Sequence, residues 1–379
     1  MQSVQSNLFH GLFPTSYRAL FETRQPYVPR EAITMTLFSL LRNRYLSWSQ
    51  NIPLPADLHV SPVFQSWHEF DAASGQWRVV PVNNTNTNTK HGKPEQKHHQ
   101  RAIQNSPFVL VTWNVDSSSP LPAARISAIA SHLATLTPAV DIIFLQEVSP
   151  EALRFLLSHQ QIRHFWYSSE ADETNWQGQF FASMTLLSKR RFIRHAEASS
   201  VIATLGPVWR LKYPSRFGRD ALCCDIFLPS PAHLSSSAGE TQYVRVRLVN
   251  VHLDSLPIQP SQRPRQISLI ASVLRSTNCG LVAGDFNPVL AEDATLIADN
   301  QLIDVWHELH PGDPGFTWGV DGQQTFPPGR LDKVALVGLQ AHRIEVMHPE
   351  AVELPDQSRH TVPWSDHSGL RCILGLDTS

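Results

Sequence analysis

The 379-residue chain has no apolar run long enough to span a bilayer, so no membrane partner is expected. It has only four cysteines, two of them adjacent at Cys223 and Cys224 in an apolar stretch. That count and spacing exclude a disulfide framework and favour a reducing compartment, the nucleus or the cytoplasm. Excess charge is missing too: 31 Lys and Arg stand against 33 Asp and Glu, for a net charge of -2. With a pI near 6.8 there is no global field of the kind that coats nucleic acid, although a local basic groove remains open. Internal repeats and a Gly-rich nucleotide loop are also absent. What is present is a hydrophobic share of 42%, enough for a sizeable core. The length suits two average domains, or one large α/β domain with an appendage.

The N-terminal part reads as an extension. Its first thirty residues carry Arg18, Arg24 and Arg30 against Glu22, faintly like an organelle transit peptide but without an amphipathic Arg face. Ala32 to Tyr45 has the spacing of one amphipathic helix. Aromatic runs at Trp67–Asp71 and Trp77–Val80 bracket Ser74-Gly75, which predicts a small hairpin that docks on the main domain. Thus residues 1–82 form the expected extension. Asn83 to Pro107 follows with repeated Asn-Thr, then His91, Lys93, Lys97, His98, His99 and Arg101, and almost no apolar side chains. Such a segment buries too little surface to offset its ordering entropy, so 83–107 is expected to be a disordered linker.

From Phe108 to the end, 108–379, the pattern is that of a folded domain. Apolar runs predict strands at Phe108–Val115, Ile142–Val148, Phe180–Leu187, Ala221–Leu228, Tyr243–Leu253, Cys279–Ala283, Leu331–Val337 and Gly369–Leu374. Helical spacing predicts helices at Arg125–Leu136, Glu151–Ser158 and Arg265–Arg275, and Ser230–Glu240 reads as a loop. Many strands with few helices point to two packed sheets covered by helices.

Polar residues recur where these strands end: Asn114, Glu147, His252, Asp285 with Asn287, Asp332, and Asp366 with His367. The stretch Gly284-Asp285-Phe286-Asn287 places an acid and an amide two residues apart just past a buried run. Singly, each is a common turn-maker or cap. Together, several carboxylates, two His and two Asn are the inventory of a hard-cation site acting on a phosphate ester.

The ordered motifs Thr112-Trp113-Asn114-Val115-Asp116, Leu145-Gln146-Glu147-Val148, Val251-His252-Leu253-Asp254-Ser255, Gly284-Asp285-Phe286-Asn287, Leu331-Asp332-Lys333 and Ser365-Asp366-His367 resemble those of the endonuclease/exonuclease/phosphatase superfamily. The resemblance covers Phe108 to the C-terminus. It implies a DNase I-like α/β fold, a four-layer αββα sandwich with the site at one mouth of the sheets. Within the superfamily the chain is most similar to the 5′-tyrosyl-DNA phosphodiesterases. The shared features are Ile303-Asp304-Val305-Trp306, Phe316-Thr317-Trp318 and the basic run Tyr213–Arg219. It departs from them at Phe286, usually Thr, and at Leu331, usually aromatic.

Chemistry and resemblance together give each residue an expected role. Glu147 would be the main Mg2+ ligand, with Mn2+ as a substitute and with Asn114 beside it on metal-bound water or phosphate oxygen. Asp285 would activate the attacking water, steadied by Asn287. His252 and His367 would donate to the phosphate oxygens, with Asp332 fixing the His367 tautomer. Asp366 is either a water-mediated metal ligand or a support for its neighbour. Trp318 would stack on a DNA end, with Arg216 or Arg219 on phosphate. The resemblance therefore implies a monomeric enzyme of DNA repair acting on DNA with a 5′-linked tyrosyl or protein adduct, such as a trapped topoisomerase. The alternatives are an abasic-site nuclease, an RNA or lipid phosphodiesterase, or a catalytically silent scaffold.

Overall fold

The computed structural model describes residues 62–82, 107–193, 203–230, 243–354 and 361–377. The expected helix Ala32–Tyr45, the linker up to residue 106 and the loop 231–240 lie outside the described residues. Two eight-stranded sheets face each other. The first holds β1 (Pro62–Gln65), β8 (Phe192–Ile193), β9 (Ala203–Lys212), β10 (Asp220–Pro229), β11 (Tyr243–His252), β12 (Gly280–Asp285), β13 (Ile303–Asp304) and β14 (Asp332–Val337). Its order is β1-β9-β10-β11-β12-β14-β13, with β8 beside β9. The second holds β2 (Trp67–Asp71), β3 (Gln76–Val80), β4 (Phe108–Asn114), β5 (Ile142–Val148), β6 (Trp166–Ser168), β7 (Ala182–Ser188), β15 (Leu339–Met347) and β18 (Gly369–Leu376). Its order is β15-β18-β4-β5-β7-β6-β2-β3. A two-stranded ribbon, β16 (Ala351–Glu353) and β17 (Thr361–Pro363), stands apart.

Each sheet contains a parallel pair joined by a helical crossover, and in the first sheet the short β8 also runs parallel to β9. β4 and β5 are joined through α1 (Pro122–Thr135), followed by α2 (Pro150–Ser158) and the short α3 (Gln160–Phe165). β11 and β12 are joined through α4 (Arg263–Arg275), and α5 (Val305–Leu309) precedes β14. Parallel neighbours require such a crossover, and the helix covers the outer face that the strands leave apolar. Three apolar layers result. One lies between the sheets, one between the second sheet and α1 to α3, and one between the first sheet and α4. This is the αββα sandwich that the motif order implied.

Alternation along the strands decides which side chains enter which layer. In β4, Val109, Val111 and Trp113 face the helices, whereas Phe108 and Leu110 face the other sheet. In β12, Leu281 and Ala283 point inward and Val282 outward. In β11, Val246 and Leu248 point inward, and in β14, Val334 and Leu336 do. Stepping by two from these inward positions lands on Asn114, Asp285, His252 and Asp332. All four therefore belong to the inner faces, at one end of the sandwich.

Residues 62–80 contribute strands to both sheets, β1 against β9 and β2 against β3 and β6. Trp67 is fully buried in the central layer, and its indole N–H donates to the Gly206 carbonyl at 2.9 Å, tying one sheet to the other. β9 and β15 were not expected from the pattern. β9 contains Gly206-Pro207, which interrupts an apolar run. The break is absorbed by a bulge opposite Asp225, where the register shifts between Cys224 and Ile226. β15 alternates apolar with charged residues and exposes much of one face, so it lacks the apolar run that marks the central strands. All four cysteines are buried and unpaired.

Candidate active site

Glu147 does not follow the alternation. Leu145 faces the helices, so Glu147 should too, away from Asp285. The β5–β7 register shifts between Leu145 and Val148, and Glu147 takes a left-handed φ of 55°. A bulge with a positive φ re-aims one side chain, and here it turns the carboxylate into the mouth between the sheets. Its Oε1 lies 3.4 Å from Asn114 Nδ2 and 3.7 Å from His252 Nε2. Its Oε2 accepts from the Ser117 N–H and hydroxyl at 3.1 and 2.8 Å.

Asp285 faces it from the other sheet. The Asn114 amide donates to Asp285 Oδ2 at 3.0 Å, and the Asn287 N–H donates to Oδ1 at 2.9 Å. His252 Nε2 and His367 Nε2 approach Oδ2 at 3.4 and 3.9 Å. Burial lifts the Asp285 carboxyl to about 7; Asp332 adds to the lift, and attraction to His367 opposes it. The chain can bring Asp285 here because residue 284 is glycine. With φ at 138°, any side chain at 284 would collide with the Val251 carbonyl of β11.

The two histidines hold different charge states. His252 is driven well below its ordinary value by burial, then by Arg219 and His367, so it is neutral. Its buried Nε2 has no hydrogen-bond partner, and its ring stacks on Phe181 with centroids 6.0 Å apart. His367 is also opposed by burial. Its Nδ1–H donates to Asp332 Oδ2 at 2.8 Å, and Asp332, Asp285 and Asp366 together hold it well above its ordinary value. The imidazolium is therefore stable at neutral pH.

Arg219 enters the same mouth. Its guanidinium donates to the Leu253 carbonyl, lies 5.0 Å above the Phe217 ring, and is attracted by Glu147 and Asp285. Arg216 does not come with it. Asp254 captures the Arg216 N–H and the Ser215 hydroxyl, which turns the exposed Arg216 side chain out toward the Gln259 and Pro260 carbonyls. Trp318 is half-buried at the rim, its indole N–H donating to Asp366 Oδ2 at 3.0 Å and its backbone bridging to His367. Asp366 is thus engaged by Trp318, and burial raises its carboxyl above the usual range.

The structure therefore brings Asn114, Glu147, His252, Asp285, Asn287, Asp332, His367 and Arg219 together, with Trp318 and Asp366 on one edge. Arg216 is set apart. Ser117 and Phe181 were missed: Ser117 sits in a Ser-rich run that reads as a turn, and one aromatic near a strand start carries no signal. The departures at Phe286 and Leu331 fall on buried residues. Phe286 is in the layer beneath α4, so it alters packing rather than the groove.

Two carboxylates, Glu147 and Asp285, face each other across the mouth, each within 3.7 Å of His252 Nε2. That suits Mg2+, which keeps several waters and takes only one or two carboxylates from the protein. Glu147 supplies such a carboxylate, about one-fifth exposed in a site otherwise nearly closed, and the unpartnered His252 Nε2 faces it. The donor set fits a hydrated hard cation.

Residues 111–367 match the profile of the Endonuclease/Exonuclease/phosphatase family. The chain belongs to that family. Its members are hydrolases of phosphate esters, and the chain is an enzyme of this class. Among curated proteins, tyrosyl-DNA phosphodiesterase 2 of Danio rerio is 23% identical over 320 residues, 77% of this chain and 73% of the relative. The crystal structure of the D. rerio protein with single-strand DNA product shares the fold at a TM-score of 0.51 and 20% identity. That match covers 72% of this chain and 100% of that one. A truncated Caenorhabditis elegans tyrosyl-DNA phosphodiesterase 2 matches at 0.51 and 19%, covering 71% and 97%.

Proposed function

We propose that this enzyme is a Mg2+-dependent phosphodiesterase that releases a tyrosyl or protein adduct from a 5′ DNA end. The observation that carries the chemistry is the confrontation across one mouth. Glu147 and Asn114 from one sheet, with His367 at the entry to β18 beside them, face Asp285, His252 and Asp332 from the other. The relatives support the substrate, one being a tyrosyl-DNA phosphodiesterase whose structure was solved with single-strand DNA product.

Mg2+, held by Glu147 with Asn114 beside it, would act as a Lewis acid on the phosphate. Asp285, once ionised, accepts a proton from the attacking water; its carboxyl near 7 is matched to that task. The Asn114 amide and the Asn287 N–H hold its two oxygens, so the base stays aimed. His367 donates from Nε2 to a non-bridging oxygen, and its fixed positive charge meets the charge that grows there. Neutral His252 offers a second ring nitrogen without adding charge. Arg219 balances the carboxylates of the mouth, and Trp318, half-buried beside them, would stack on the terminal base.

The test is one assay on three substrates: 5′-phosphotyrosyl oligonucleotide, an abasic duplex and sphingomyelin, each with and without Mg2+. Preferential Mg2+-dependent release of tyrosine is expected. Faster turnover of either other substrate would reassign the enzyme within its family, and no turnover of any would favour a silent scaffold.

A further inference from the structure

Arg125 lies on α1, outside every motif used above, and is 2% exposed. A fully buried guanidinium normally has a carboxylate partner, but the nearest, Asp116, is 3.9 Å away. Its hydrogen bonds go to backbone carbonyls instead. Nε donates to Pro120 at 2.9 Å, one terminal nitrogen to Val115 and Trp364 at 2.9 and 2.7 Å, and the other to Asp116 and Ser119 at 2.6 and 3.0 Å. All five N–H groups are used.

Four of these carbonyls belong to the loop 115–120 and one to the segment that enters Ser365-Asp366-His367. The first loop carries Ser117, whose N–H and hydroxyl fix Glu147 Oε2. It also carries Asp116, whose N–H donates to Asn114 Oδ1 at 3.0 Å. The second carries Ser365, whose hydroxyl donates to the Asn114 carbonyl at 2.6 Å, and His367 itself. Asp116 has a left-handed φ of 52°, so this loop is not in its relaxed form and something must hold it.

We propose that Arg125 is a positioning residue: it clamps the loop that orients Glu147 to the segment that presents His367, and so sets the metal carboxylate and the phosphate donor in one geometry. The inference rests on Glu147 as the metal ligand, not on the identity of the substrate. Only a planar fork reaches five carbonyls at once. A lysine at this position keeps the charge but has three donors on a single nitrogen.

The test compares wild type, Arg125→Lys and Arg125→Met at a temperature where far-UV circular dichroism shows each folded. Hydrolysis of bis(4-nitrophenyl) phosphate is followed across a Mg2+ titration, and the melting temperature is measured over the same Mg2+ range. Both variants should need more Mg2+ for half-maximal rate and lose roughly 10- to 100-fold in kcat, as loss of an outer support for a metal ligand does. KM should change little, and the Mg2+-dependent rise in melting temperature should move to higher Mg2+. Should Arg125→Met not fold, the same comparison is read on Arg125→Lys. A Mg2+ response identical to wild type, with only a lower melting temperature, would overturn the positioning role and leave the catalytic reading intact. No Mg2+ effect on the wild type in either readout would overturn both.

Discussion

Replacing Asp332 by Asn keeps the volume and removes the charge that faces His367. Asp332 is fully buried, and the pair meets at 2.8 Å with His367 only 6% exposed, so solvent screens the interaction little. A hydrogen bond to a charged group contributes about 1.5–3 kcal/mol, against about 0.5–1.5 kcal/mol for a neutral one. If the imidazolium stabilises the transition state, exchanging the charged bond for a neutral one costs about 1–1.5 kcal/mol, roughly 5- to 13-fold in rate. The sign of the pH effect follows from the same pair. His367 is held charged above its ordinary range, so its contribution is complete at low pH and is lost as pH rises through the raised value. Without Asp332 that loss begins at lower pH, and the alkaline limb of kcat/KM should move toward acid. Folding should suffer less than catalysis, because Asp332 Oδ1 is buried without a partner and a neutral amide relieves its desolvation. The assay is kcat/KM against pH for both proteins in saturating Mg2+, with melting temperatures alongside. A variant with the wild-type alkaline limb and a rate close to wild type would refute the role of the pair.

Glu147→Gln should leave the fold intact and drop the rate by orders of magnitude, with activity only partly recovered at high Mg2+; wild-type turnover in saturating Mg2+ would remove Glu147 from the metal site. Trp67→Ala should lower stability by about 3–5 kcal/mol in a denaturant titration, since the ring fills the central layer. Deleting residues 1–82 removes β1 from one sheet and the β2–β3 hairpin from the other, so the truncated chain should unfold more readily still than the Trp67 variant. Trp318→Ala should raise KM for oligonucleotide by a factor worth about 1–3 kcal/mol, while Trp318→Phe keeps a stacking face and should retain most of that affinity. Equal losses on a small aryl phosphodiester would instead make Trp318 a support for Asp366.

The polar residues that sequence alone could place are those that obey the alternation. Asn114, His252, Asp285 and Asp332 sit two residues beyond inward apolar positions, so recognising the strands already assigns them to a common face. Arg210 lies on a strand whose Gly-Pro break hid it, and its buried contacts to Glu170 and Asp220 could not be inferred. Arg216 and Arg219 are three residues apart in one basic run, and only the capture of this loop by Asp254 sends one outward and the other into the mouth. Glu147 is the instructive case, because its position by alternation is the wrong one. The bulge that corrects it costs β5 its pairing with β7 between Leu145 and Val148, and a left-handed backbone at a residue other than glycine. Such departures persist only where the surroundings over-determine them. Here Ser117 and Asn114 hold the carboxylate, Asp116 and Asn287 share the left-handed conformation in the adjoining loops, and Arg125 fastens the loop behind. Three left-handed residues, Asp116, Glu147 and Asn287, thus stand at the end of the sandwich where the inner faces turn polar, held by contacts from the regular strands and loops around them.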